Sequence, residues 1–97
     1  MRTVPLAVAA TILLAGCGGA SEHDRQVIFE QNCAACHSIA AGKPSPVAKA
    51  PNLYDLHPSA TEVRRAVTEG AAGMPRHLVK GDALGEVVQY VEETTAR

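Results

Sequence analysis

The chain has no tryptophan, one phenylalanine and two tyrosines among its 97 residues. It is therefore short of the large side chains that dominate core burial. No stretch alternates apolar and polar residues in the way a half-buried strand does, and there is no internal repeat or low-complexity block. Lys and Arg number nine against ten Asp and Glu. They form no basic block and no basic stripe interleaved with aromatics, so nucleic-acid binding has no support. The apolar run Val4 to Leu14 is about 11 residues, too short for a bilayer that needs ~20. Cysteine is scarce at three residues and methionine at two, one of them the initiator. Once Cys17 is set aside, only Cys33 and Cys36 remain to pair, and so small a disulfide loop would constrain little.

Residues 1–16 read as an export segment, with Arg2 as a thin positive start, the apolar run after it, and small residues before a cysteine. Leu14-Ala15-Gly16-Cys17 resembles the lipobox of a bacterial lipoprotein signal. That resemblance implies a cut after Gly16 and a diacylglyceryl group on Cys17, which would hold the protein to a lipid membrane. The alternative is an ordinary secretory signal that happens to contain a cysteine. On the first reading residues 17–23 form a lipidated, short flexible tether and residues 24–97 the folded domain. The 81 residues left of 97 carry eight basic and ten acidic side chains, a formal charge of −2. A chain of that length struggles to build a self-sufficient core, so something other than protein should staple it.

The expected fold is all-α, with three main helices and long loops. Ser21 with Asp24 three residues later fits a capping box and opens a helix through Val27, Ile28 and Phe29 into Cys33. Residues 38–52 hold Gly42, Pro44, Pro46 and Pro51 and read as loop. Ser59 with Glu62 is a second capping box, followed by Val63, Ala66 and Val67 at helical spacing, with Gly70 as the stop. Residues 71–76 form a turn region. From Asp82 a last helix carries Leu84, Val87, Val88 and Val91 at i, i+3, i+4, i+7.

The chemistry concentrates in Cys33-Ala34-Ala35-Cys36-His37. On a helix these two thiols and the imidazole would project from nearly one face. Two thiols so placed can bond to the two vinyl groups of a planar macrocycle while the imidazole reaches its iron. C-x-x-C-H is the signal for c-type haem attachment. A covalently held haem would also supply the apolar centre that the sequence lacks. Three rivals compete: a thioredoxin-like redox pair, which expects a βαβ context; a structural zinc site using His57 or His77; and a structural disulfide beside a bystander histidine.

For the sixth iron ligand the candidate is Met74, in a turn between Gly73 and Pro75 rather than on an apolar stripe where filler methionines sit. A neutral thioether raises the reduction potential; the rivals His77 and His57 would lower it. Pro75 restricts the backbone of Met74. A metal-bound imidazole usually donates its other N–H to an acceptor, and the carbonyl of Pro51 is one candidate, although on local sequence alone Pro51 reads first as a loop breaker.

In sum these residues resemble a class I cytochrome c across nearly all of the chain after the signal. The pieces are Phe29 four residues before Cys33, the C-x-x-C-H run, Ala50-Pro51-Asn52-Leu53, Gly73-Met74-Pro75 and Val87 to Val91. The resemblance implies a small cytochrome c fold wrapped around one covalent haem c. In it Cys33 and Cys36 are the thioether attachments, His37 and Met74 the axial ligands, and the Pro51 carbonyl the acceptor for His37. It also implies that the first and last helices cross, with Phe29 against Tyr90. Two departures stand out. Arg25 occupies a position where the family often has glycine, so Gly85 is expected to supply the clearance at that crossing. The His37–Met74 interval is also short, which implies trimmed loops and a more exposed haem edge.

Two filled axial positions leave no room for substrate, so the expectation is an electron carrier rather than an enzyme. Residues 18–23 reach at most ~20 Å. The partners would then be redox proteins at the membrane surface, a membrane-bound reductase and an oxidase. A haem sensor or peroxidase-like enzyme with a labile Met74 and Arg76 or His77 as distal group is the alternative. A fixed electron-transfer subunit of a larger oxidoreductase is another.

Overall fold

The computed structural model describes residues 20–97, so the expected signal and the lipidation site Cys17 lie outside the described residues. Four helices follow one another: α1 (Glu22–Asn32), α2 (Leu53–Leu56), α3 (Ala60–Glu69) and α4 (Gly81–Thr95). The described residues contain no strand, only an isolated bridge between Ala71 and Met74. None of their helices is long and apolar enough to cross a membrane.

Both expected capping boxes form. Asp24 N donates to Ser21 Oγ at 3.1 Å and Ser21 N to Asp24 Oδ2 at 3.3 Å. At α3, Glu62 N donates to Ser59 Oγ at 3.1 Å and Ser59 N to Glu62 Oε1 at 2.8 Å. Such a cap contributes about 0.5–2 kcal/mol. The fourth helix, α2, was not expected from periodicity, because one turn is too short to show any. Asn52 starts it, its side chain accepting from Tyr54 N and Asp55 N, and His57 ends it in the left-handed conformation at φ 52°.

Helix α4 is the hub, since α1, α2 and α3 each pack on it. Its buried residues are Val87, Val88, Val91 and Thr95. Thr95 is fully buried although polar, and satisfies itself by donating Oγ1 to Val91 O at 2.8 Å. The core is lean: Phe29 and five valines, Val67, Val79, Val87, Val88 and Val91. The C-terminus is fastened to α2 by Arg97, whose guanidinium lies 4.9 Å from the Tyr54 ring centroid.

Helices α1 and α4 cross with Phe29 and Tyr90 in tilted contact, ring centroids 5.6 Å apart. The expectation for Gly85 fails: a Cβ there would meet only Arg64 Nη2, on α3, at 3.9 Å. Gly85 therefore faces α3, and the α1 crossing owes nothing to it. Arg25 fills that crossing with charge instead. Its Nη2 reaches Glu93 Oε1 at 3.2 Å, its Nη1 lies 3.6 Å from Glu86 Oε1, and Nη1 donates to Ala20 O at 2.7 Å. The Arg25 side chain is only 13% exposed, and its Nε and Glu86 Oε1 have no hydrogen-bond partner.

A half-buried, imperfectly bonded pair of this kind contributes little net stability, but removing one member strands the other. Arg25→Ala should therefore cost about 1–3 kcal/mol in urea unfolding of the haem-loaded protein. Arg25→Met combined with Glu86→Leu should recover most of that loss. A double variant no more stable than Arg25→Ala would show the charge pair to be a net stabiliser.

Candidate functional site

The helix expected to carry Cys33, Cys36 and His37 stops short of them. Cys33 is the C-cap of α1, and the motif occupies the turn beyond it. Asn32 Nδ2 donates to Ile28 O at 2.9 Å, and Ala34 N reaches back five residues to Phe29 O at 3.1 Å. The last regular rung is Cys33 N to Phe29 O at 2.7 Å, and the ladder ends where Ala34 N shares that carbonyl. A fresh turn follows at once, with Cys36 N and His37 N both donating to Cys33 O, at 3.1 and 3.0 Å. The motif is thus gathered by this single turn and not by a helix face.

His37 Nδ1 lies 2.8 Å from Pro51 O. A carbonyl only accepts, so Nδ1 is the donor of this bond and Nε2 is the ring nitrogen it leaves unengaged. Met74 sits at the end of a tight turn, Met74 N donating to Ala71 O at 2.8 Å and Ala71 N to Met74 O at 3.1 Å. Gly73 has φ +79°, as the third residue of a type II turn requires. Gly70, just before it, is in a conformation open essentially to glycine alone (φ 81°, ψ 172°). A Cβ on Gly70 would lie 2.9 Å from Arg76 Cγ and 3.0 Å from Met74 O.

Cys33, Cys36, His37, Pro51 and Met74 all line one cavity of about 610 Å³. Its walls are mostly apolar, with Leu53, Val63, Ala66, Val67, Val87 and Val91 among them. The exposed large apolar side chains of the described chain are Val47, Leu56 and Leu78, and all three border this cavity. Taking such a side chain fully out of water is worth about 1.5–3 kcal/mol. These three are 43%, 56% and 36% exposed, so covering them would add about half of that for each, still a sizeable fraction of the ~5–15 kcal/mol net stability of a small domain. A large apolar group therefore fits this space on energetic grounds. The donor set fits haem: two thiols, an imidazole with Nε2 free, and a thioether.

The rivals fare worse. His57, Arg76 and His77 are exposed and none of them lines the cavity. Among the described residues no three of His, Cys, Asp and Glu gather as a metal-binding group. The Cys33 thiol is pushed up to about 11, by burial first and by Cys36 second. A reactive redox pair has the opposite shift, toward the thiolate.

Asn52 is the residue that sequence reasoning passed over. Its amide donates to Ala40 O at 2.9 Å and also to Lys43 O, while its oxygen caps α2. The signal available in advance was an asparagine directly after a proline at the end of a long loop, a common cap placement.

No curated protein and no solved structure matches the chain. The family model described as cytochrome C oxidase, cbb3-type, subunit III matches residues 20–91. With the C-x-x-C-H turn, the Met74 turn and the apolar cavity inside that span, the chain belongs to this family of c-type cytochrome domains, electron-transfer proteins with covalently bound haem c.

Proposed function

We propose that this protein is a membrane-anchored electron carrier with a single haem c. The observation that carries this reading is the convergence of Cys33, Cys36, His37 and Met74 on one apolar cavity. Cys33 and Cys36 would hold the haem as thioethers, and His37 Nε2 and Met74 Sδ would ligate its iron. Bound there, haem supplies a one-electron redox centre. The chain's own residues set its properties. His37 Nδ1–H donates to the Pro51 carbonyl, which holds the ring in one orientation and raises its basicity. The Met74 thioether is neutral and soft, favours the ferrous state and raises the potential. The valine and leucine walls would shield the iron from water. Val47, Leu56 and Leu78 mark where the cavity opens, and electrons would enter and leave there.

The anchor is Cys17, lipidated after removal of residues 1–16 on the exported side of a bacterial membrane. The redox partners are then a membrane-bound reductase and an oxidase within the short reach of the tether. The family description names an oxidase subunit, so a fixed place inside a larger oxidoreductase is the second reading. In either arrangement the domain passes electrons and performs no catalysis of its own.

Three outcomes are expected. Carbon monoxide should leave the spectrum of the chemically reduced protein unchanged, whereas Met74→Ala should form an adduct rapidly. An immediate adduct in the unaltered protein would transfer the argument to a sensor or peroxidase-like enzyme. Gly70→Ala should cost about 1–3 kcal/mol in backbone strain and allow slow carbon monoxide binding through a displaced Met74. Cys17→Ser should move the protein from the membrane to the soluble exported fraction; membrane retention of that variant would remove the lipid anchor from the reading.

A further inference from the structure

The bond between His37 and Pro51 is flanked on both strands of the chain by further bonds. Ser38, next to His37, accepts at its carbonyl from Leu53 N at 2.8 Å, and its hydroxyl lies 3.4 Å from Asn52 Nδ2. Asn52, next to Pro51, also donates Nδ2 to Ala40 O at 2.9 Å and to Lys43 O. Its Oδ1 accepts from Tyr54 N at 2.8 Å and Asp55 N at 3.1 Å. One amide thus closes the 38–45 loop with its nitrogen and starts α2 with its oxygen. A flipped amide would set its oxygen against two carbonyls, so the orientation is fixed by its partners.

We infer that Asn52 is a positioning residue for His37: it holds the register in which the Pro51 carbonyl meets Nδ1. A slip of one residue along an extended chain moves a carbonyl by roughly 3.3 Å, beyond hydrogen-bond reach. Leu53 N and Ser38 O alone make a single rung, and a single rung can pivot. The two N–H groups of Asn52, shared among Ser38 Oγ, Ala40 O and Lys43 O, turn it into a clamp. Because a stronger Nδ1–H···O bond makes the imidazole a better donor to iron, Asn52 acts on the redox centre without touching it.

This inference rests on His37 being an iron ligand. The test is Asn52→Ser in the haem-loaded protein, which keeps a good helix cap and loses the amide donors. The His37 Nδ1 proton should exchange with solvent roughly tenfold faster by NMR, as the loss of about one hydrogen bond's support implies. The reduction potential should rise. Ser59→Ala, which removes the cap of α3, is the control for plain destabilisation and should change neither. Asn52→Asp, which keeps both cap bonds, provides the same exchange readout if the serine variant folds poorly. A His37 ring with no paramagnetic shift in the ferric protein would defeat the ligand assignment itself. A shifted His37 ring, with exchange in Asn52→Ser no faster than in Ser59→Ala, would overturn only the role of Asn52.

Discussion

The whole structure answers to one shortage, the lack of apolar bulk. Phe29 and five valines are the buried hydrophobic residues of the described chain, and a domain of this size buries too small a share of its surface to stand on that alone. The helices accordingly do not close on one another. α1, α2 and α3 meet only α4, and the space they leave is the apolar cavity that the two cysteines, His37 and Met74 also line. Val67, Val87 and Val91 belong both to the core and to the cavity wall. Core and cavity wall are thus one construction, and an apolar group filling the cavity would complete the core.

How much of this was legible in the sequence depended on the range of each interaction. The capping boxes at Ser21 and Ser59 and the stripe on α4 are local patterns with periods of three and four, and they formed at the expected positions. α2 was illegible because its single turn rests on Asn52, a tertiary clamp, and not on an apolar face. Thr95 was illegible because its hydroxyl finds a partner in its own helix, which allows a polar residue into a position usually apolar. The orientation of Gly85 toward Arg64 is a matter of helix rotation, which composition does not reveal.

The site divides in the same way. Side-chain chemistry could be read from residue types, since C-x-x-C-H and a methionine between glycine and proline are rare in combination. Backbone chemistry is less legible, because every residue has a carbonyl; only the family resemblance singled out that of Pro51, which does meet His37 Nδ1. Pro51 O and His37 Nδ1 come together in a loop across which Asn52 is hydrogen-bonded to Ser38 and Ala40. Even the grouping of Cys33, Cys36 and His37 came about differently from the helical geometry first inferred. The regular ladder ends with Cys33 N on Phe29 O, and a new turn accepted by Cys33 O sets the spacing.

The two sides of the cavity are consequently held with unequal firmness. On one side His37 follows two cysteines in a bonded turn, its ring is bonded to Pro51, and both neighbours of that bond are tied again through Ser38, Asn52 and Leu53. On the other side Met74 depends on two hydrogen bonds to Ala71 and on glycines at 70 and 73, in a turn whose residues 71–73 are exposed. Local opening follows the places with few buried contacts and solvent-exposed backbone bonds. Any loosening of the domain therefore begins at Met74 while His37 stays in place, because the His37 side is cross-braced by several elements and the Met74 side by one turn.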